Sequence, residues 1–407
     1  MSTQEVDKFQ VRNRWLVLLA AFLAMCLVSP FEYVWSSVSP LMAEANAWSP
    51  DRLGLIFTFF VLFQSGASFP TGYLRDIYGP RLLTMVGGVL AAAGIYSLSF
   101  DSFVLVLFFY GILGSFGAGM IYSNAVNTGN KWFPERRGLT TGFTAAAFSW
   151  GSIPFIFWIR KSADVGNYGG ILSWIALIVL FVTLVAGYFM RDPPVDLDSE
   201  NGVSFTGENL ERPSRRQFGL GKTVMTWQFW VLYLAFFLTS GSGLMTISKI
   251  VEYSASIGFV PAIGTVAAAG LALTNGGGRV VVGRISDKFG YENAMIMSFT
   301  LFGAFLLVMG LTNSSVIFLG STLTALFFWG ALFSLFPAIV GHYYGRKHSA
   351  GNYGLLYSAK MLGGVYGGYV SAVVVSGYGF RTAFVVGGLM GLVAAALIIP
   401  TKYSPPE

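Results

Sequence analysis

Five ionisable residues stand in stretches of this sequence that are otherwise strongly apolar: Glu32, Lys249, Glu252, Arg279 and Lys360. A charge deep in hydrocarbon costs roughly 2.5 to 3.5 kcal/mol on insertion scales, so such residues mark functional candidates, each with a partner to be found. Arg279 suits anion binding. A guanidinium is planar, keeps its proton, and takes a carboxylate through two parallel hydrogen bonds, so it orients the anion as well as holding it. Asn275, four residues earlier on the same helix face, offers an amide to the same anion. The competing reading for Arg279 is a structural cation at a helix end. Lys360 supplies either a second binding cation or an ammonium bound to backbone carbonyls or to an acid. Glu32 and Glu252 are the candidates for carrying a proton, because a carboxyl taken out of water favours its neutral form. Glu252 has Lys249 three residues away, so that pair reads equally well as a structural salt bridge. Glu32 follows the kink expected at Pro30, stands beside Tyr33, and has no cation near it in sequence.

Aromatic residues with a polar tip add a second layer. Tyr33, Tyr122, Trp329 and Tyr357 combine an apolar wall with one hydroxyl or indole donor, which fits a small acid with a short carbon tail. Tyr357 lies one helical turn from Lys360. Packing against lipid or other helices is the alternative for each. The single cysteine, Cys26, and two histidines, His342 and His348, exclude a disulfide framework and argue against a protein-built metal site, so no metal or cofactor is expected. Both histidines read as solvated loop residues. Gly111, Gly114, Gly117 and Gly119 imitate a nucleotide-binding loop, but they lie inside an apolar helix with no strand before it, which favours helix packing. Gly276, Gly277 and Gly278 allow close approach of a helix or of substrate, or simply pack. No phosphate-binding loop occurs, so ATP has no place to act and any work must come from a gradient.

The elements that must position these residues are membrane helices. Of 407 residues, 54% are apolar and 11% charged, against about 25% charged in ordinary soluble domains. Apolar runs of about 20 residues, each able to cross a core about 30 Å thick, recur throughout. Twelve spans are expected near 15–40, 53–74, 81–99, 103–127, 138–160, 168–190, 226–252, 259–282, 293–311, 315–341, 349–376 and 380–400. No cleavable signal is visible, and the first run is kept as a span. Residues 191–225, with Asp192-Pro193-Pro194, an acidic run and Arg212-Pro213-Ser214-Arg215-Arg216, read as a polar linker between a half at 1–190 and a half at 226–407. This arrangement puts 18 of the 25 basic residues on the side of the chain ends and the linker, and four, Arg52, Arg160, Lys161 and Arg381, on the other. Both termini are therefore expected in the cytoplasm of a cell-membrane protein, and the net charge of +6 needs no nucleic acid to explain it.

The two sixes are related. Gly72-Tyr73-Leu74-Arg75-Asp76-Ile77-Tyr78-Gly79 and Gly283-Arg284-Ile285-Ser286-Asp287-Lys288-Phe289-Gly290 lie 211 residues apart, and at that offset Trp132-Phe133 meets Tyr343-Tyr344 and Arg136 meets Lys347. Such parallel repeats place a substrate path between the halves at mid-membrane. Arg75 with Asp76, and Arg284 with Asp287, read as latches between spans on the cytoplasmic side. Depth agrees: Arg279 is eight residues before Asp287, about 12 Å along a helix, and Lys360 is 13 residues beyond Lys347, about 20 Å.

The loop after the second span, with its weaker copy after the eighth, resembles the signature loop of the major facilitator superfamily. Asn127-Thr128-Gly129-Asn130-Lys131-Trp132-Phe133-Pro134, Arg136-Arg137-Gly138-Leu139, Asn275-Gly276-Gly277-Gly278-Arg279 and Ser358-Ala359-Lys360 are similar to the bacterial oxalate/formate exchangers and the wider monocarboxylate transporter group. The resemblance covers nearly all the chain except the linker and tails. It implies that Arg279 is the substrate-binding cation and that Lys360 joins it in facing a dianion. Against the dianion stands the internal charge sum: three cations and two carboxylates leave one positive charge, which suits one monocarboxylate.

The expected protein is thus an all-α membrane protein, a monomer in lipid, and not an enzyme. It is expected to carry a small monocarboxylate such as lactate, with a proton by symport or in exchange for another carboxylate as the oxalate/formate carriers do. A passive anion channel would also want a midplane arginine, but duplicated latches favour rocking over a fixed pore. A membrane enzyme or sensor has no cluster of catalytic groups to support it.

Overall fold

The computed structural model describes residues 3–133, 137–192, 218–345, 349–403 and 406, and leaves undescribed the side chains of 3–13, 69, 72, 73, 76, 77, 129–131, 137–139, 141, 287, 349 and 350. Backbone amides in hydrocarbon find no water, so a chain this apolar closes its hydrogen bonds within helices. Among the described residues those helices follow one another as twelve rods. The first comprises Thr3–Val28, Pro30–Tyr33 and Trp35–Asn46; Pro30 lacks an N–H and interrupts the rod where the kink was expected. The second comprises Pro50–Gly66 and the start of Ser68–Ser97, whose remainder after Gly79 is the third. The fourth joins Phe103–Val106, a π-helical Leu107–Gly114 and Ser115–Trp132, the fifth Arg137–Trp150 and Ile153–Ser162, and the sixth is Tyr168–Phe189.

After the short helix Leu220–Val224 come Trp227–Ser256, Pro261–Phe289 and Tyr291–Leu311 as the seventh to ninth rods. The tenth is Ser315–Gly330 with Leu332–Tyr344. Ser349–Tyr357, Ala359–Val365, π-helical Tyr366–Val370 and the start of Ser371–Tyr403 make the eleventh, and the part beyond Gly379 makes the twelfth. Among the described residues nine stretches are long and apolar enough to cross a membrane, and together they take in every rod but the second and eighth. Those two carry the signature loops and, in the eighth, Asn275 and Arg279. The expected linker is shorter in structure than in sequence: Phe218 already donates its N–H to the Tyr344 carbonyl at 2.9 Å, and residues 193–217 lie outside the description.

The repeat is visible in backbone geometry. Gly79 (φ 74°, ψ 170°) and Gly290 (φ 85°, ψ 149°), 211 residues apart, break the chain in the same way between the second and third rods and between the eighth and ninth. A side chain at such φ is strained, which is why glycine stands there twice. Packing repeats too. In one half the third rod lies on the fourth and sixth, and in the other the ninth lies on the tenth and twelfth. Between halves the fifth meets the eighth and the second meets the eleventh, two pairs that exchanging the halves maps onto each other, and the outer part of the first meets the seventh, a pair mapped onto itself. The glycine row of the fourth rod does pack: a Cβ on Gly114 would meet Gly94, and one on Gly117 the Gly87 carbonyl. Gly276 and Gly278 likewise leave no room, lying against the Trp150 indole and the Phe327 carbonyl.

Among the described residues, 191–192 and 218–226 lie at one face of the bundle, called here the terminal face, and the loop 47–49 marks the far face. Rods one, five, ten and eleven are interrupted at mid-depth, near Ser29 and Val34, Gly151, Ala331 and Ser358. All four breaks adjoin the polar cluster described next.

Candidate functional site

Arg279, from the eighth rod, reaches the centre of the bundle and is 1% exposed. Its Nε and Nη2 donate to Asn275 Oδ1 at 3.2 and 3.0 Å, Nη1 donates to the Ala145 carbonyl at 2.7 Å, and Nη2 lies 3.5 Å from the Tyr33 hydroxyl. Asn275 sits one turn below on the same helix face, as its spacing required, and its Oδ1 also accepts from Tyr33 at 3.0 Å and from Ser149 at 2.6 Å. That leaves the Asn275 Nδ2 buried without a partner. Every group bonded to Arg279 is neutral, so no described carboxylate offsets its charge.

Lys360 enters from the eleventh rod, also 1% exposed. Its Nζ stands 2.9 Å from Glu32 Oε2, across 328 residues of sequence, and 3.5 Å from Gln64 Oε1. Glu32 is fully buried, and its Oε1 and the Gln64 Nε2 have no partner. The acid without a neighbouring cation in sequence therefore has one in space. Phe333 ties the two cations together, with the guanidinium 4.3 Å and the ammonium 5.4 Å from its ring centroid. Below them Tyr122 stacks on Tyr357 at 6.1 Å and meets Phe148 edge-on at 5.3 Å, while Phe236 closes the other side of Tyr357 at 5.8 Å.

Six of the residues singled out in the sequence thus converge with Glu32: Arg279, Asn275, Tyr33, Lys360, Tyr122 and Tyr357. Trp329 is placed differently. Its indole N–H is taken by the Thr239 carbonyl at 2.8 Å and its ring fills the space beside Gly243, so its donor is used in packing the seventh rod. Glu252 also stays apart. It pairs with Lys249 at 3.2 Å, one quarter exposed, near the far end of the seventh rod. Removing that pair leaves Glu32, Lys360 and Arg279, and the net charge of the cluster is still one positive.

Ser149, Gln64 and Phe333 were missed. Gln64 had a signal, a lone amide in an apolar run, whereas Ser149 and Phe333 look like any other helix residues until the fold brings them in. Arg75, read from the sequence as a latch residue, is buried. It donates to Asn124 Oδ1 at 2.8 Å and to Asp192 at 2.6 Å, and Asn124 in turn donates to the Pro80 carbonyl and Thr84 hydroxyl, both at 2.6 Å. The Asp76 and Asp287 side chains, and Arg136, Lys347 and His348, lie outside the described residues; Arg284 is exposed. On the far-face side of the cluster the halves are joined directly: Arg160 donates to Thr265 at 3.1 Å and to the Pro261 carbonyl at 3.3 Å, and the Tyr369 N–H donates to Thr58 at 2.9 Å.

A buried cluster of cations and tyrosines lies between the two repeats, and the family model of the Major Facilitator Superfamily matches residues 17–276 and 230–407. The chain belongs to this superfamily. As a major facilitator it is a multi-pass membrane protein. It is 31% identical over 399 residues to the oxalate:formate antiporter of Oxalobacter formigenes, covering 97% of this chain and 93% of that one. Human monocarboxylate transporter 11 is 28% identical over 170 residues, 42% of this chain and 36% of that one. Among solved structures, the bacterial homologue of the human lysosomal transporter Spinster, in an inward-facing and unoccupied conformation, superposes with a TM-score of 0.75 at 15% identity, covering 96% of this chain and 97% of that one. The fold of the solved structures thus agrees with the family assignment.

Proposed function

We propose that this major facilitator is a secondary active transporter of a small monocarboxylate, lactate-like in size, taken up with a proton by alternating access in the cell membrane. One observation carries the reading: Lys360 is neutralised by Glu32 at 2.9 Å, while Arg279 holds only neutral partners. A cleft with one uncompensated guanidinium matches one carboxylate. Arg279 takes its two oxygens, the free Nδ2 of Asn275 donates a further hydrogen bond, and Tyr122, Tyr357 and Phe333 enclose a short carbon chain. Glu32 is the coupling acid in this reading, because it is the carboxyl inside the cluster; Glu252 is committed to Lys249. Inward movement of a lone anion against the membrane potential costs about 2.3 kcal/mol per 100 mV, and a proton removes that cost. The working unit is a monomer with both termini in the cytoplasm.

Carboxylate exchange is the second reading, favoured by the identity with the oxalate:formate antiporter. Proteoliposomes separate the two. Labelled lactate should accumulate under an inward proton gradient and show counterflow, with labelled oxalate a poor substrate. Oxalate exchange with no response to the gradient would replace symport by antiport, and flux without counterflow would make the protein a channel.

A further inference from the structure

Serine and threonine hydroxyls on helices of this chain commonly donate to a carbonyl three or four residues back: Ser97 to Gly94 at 2.7 Å, Thr239 to Ala235 at 2.7 Å, Thr246 to Ser242 at 2.9 Å. In the first rod Ser29, Ser36, Ser37 and Ser39 do otherwise. Each is at most 2% exposed, and each Oγ lacks a partner. Glu32, in their midst, also has a free oxygen, Oε1. At about 100° per residue, Ser29, Glu32, Ser36 and Ser39 fall within an arc of roughly 80°, with Ser37 outside it.

Buried hydroxyls in folded proteins hold partners, water included, and a bridging water needs only two to four polar neighbours. Four orphaned oxygens on one arc supply them. The row also leads somewhere. Ser39 is about 10 Å from Glu32 along the rod at about 1.5 Å per residue; Pro40 and Leu41 after it are partly exposed, and Glu44 is exposed at the far face. Meanwhile the Arg160 and Thr58 contacts hold the halves together on that same side. A water molecule needs less room than a carboxylate does.

We propose that Ser36 and Ser39 support a water file that delivers protons from the far face to Glu32 while that face is shut to substrate, an inference that rests on the symport reading above. Each oxygen in the file accepts one proton and releases another, so no charge stays on it. The last proton bonds to Glu32 Oε1 and the carboxyl becomes neutral, so the charge of Lys360 is released to help hold the substrate carboxylate bound at Arg279. The groups facing Glu32 are Lys360 and Gln64 on Oε2, and Arg279 through Tyr33; the Tyr110 hydroxyl is occupied by the Phe31 carbonyl at 2.6 Å. On the seventh rod, packed against this part of the first, Lys249 and Glu252 neutralise one another.

The test uses the full chain in proteoliposomes with labelled lactate. Replacing both serines, Ser36→Ala with Ser39→Ala, is expected to slow gradient-driven uptake about tenfold while changing lactate-for-lactate exchange at equal acidic pH by less than about twofold, because exchange needs no net proton delivery. The pair Ser36→Thr with Ser39→Thr keeps the hydroxyls and should keep uptake. Equal losses in uptake and exchange would mean that the serines serve packing, and unchanged uptake in the alanine pair would mean that protons travel elsewhere; either result overturns the route. A wild-type protein blind to the pH gradient is a separate failure, that of symport itself, and removes the route with it.

Discussion

Glu32 and Lys360 meet at 2.9 Å in the centre of the bundle, both essentially inaccessible to solvent, one from the first rod and the other from the eleventh. Among the described residues each is the other's charged partner, and the contact spans the boundary between the two repeats.

Breaking such a pair on one side leaves an isolated buried charge, which typically costs about 3 to 5 kcal/mol, whereas removing both partners is often near neutral. Glu32→Gln and Lys360→Met should therefore each lower the thermal midpoint of the purified protein, and the double variant should recover most of the loss. Additive losses in a fluorescence melting series would show that the two charges are not coupled.

Arg279→Lys is expected to reduce lactate uptake by tenfold or more, an ammonium being unable to reproduce two parallel hydrogen bonds worth about 1.5 to 3 kcal/mol each. Monodispersity in detergent checks that the variant folds. Wild-type affinity would remove Arg279 from the binding site.

Glu32→Gln has a second consequence, in transport. Without its carboxylate the cluster carries two uncompensated cations, so oxalate should become a better inhibitor of lactate exchange by at least about tenfold, the equivalent of one new ion pair at about 1.4 kcal/mol. The same variant should lose stimulation of uptake by acid outside, since it has no proton to load, and should keep exchange. Retention of the full pH response would rule Glu32 out as the coupling acid. For Lys360→Met the sign reverses, and a dicarboxylate should suffer more than a monocarboxylate.

A packing control completes the set. A Cβ at Gly278 would strike the Phe327 carbonyl, while one at Gly320 would meet nothing within 4 Å. Gly278→Ala should destabilise by about 1 to 3 kcal/mol from overpacking, and Gly320→Ala should leave the melting midpoint within error. Equal behaviour would contradict the close approach of the eighth and tenth rods.

Much of this was legible in the chain. The repeat offset and the interruption at Pro30 are readable directly from the chain, and the axial positions of Arg279 and Lys360 within their rods follow from counting residues, because a helix converts sequence distance into rise at a fixed rate. What counting cannot supply is azimuth between different rods. Sequence alone leaves Glu32 uncompensated because its cation is 328 residues away, and makes Trp329 a wall of the cleft because nothing local tells that Thr239 takes its donor. Ser149 carries no local mark of its role, since a serine in an apolar helix ordinarily bonds its own backbone.

Gly79 and Gly290, with their shared left-handed turn, speak of ancestry. The same turn at the constant offset of the sequence repeat fits an origin of the halves by duplication of one six-helix unit, which would have worked as a pair of identical chains. Such a pair places every charge twice. The present cluster does not: both cations, Arg279 and Lys360, belong to the second copy, and Glu32 and Tyr33 to the first. Fusion into one chain freed each copy to diverge, and it is that loss of symmetry that gives the molecule an acid and a base side facing one another across its centre.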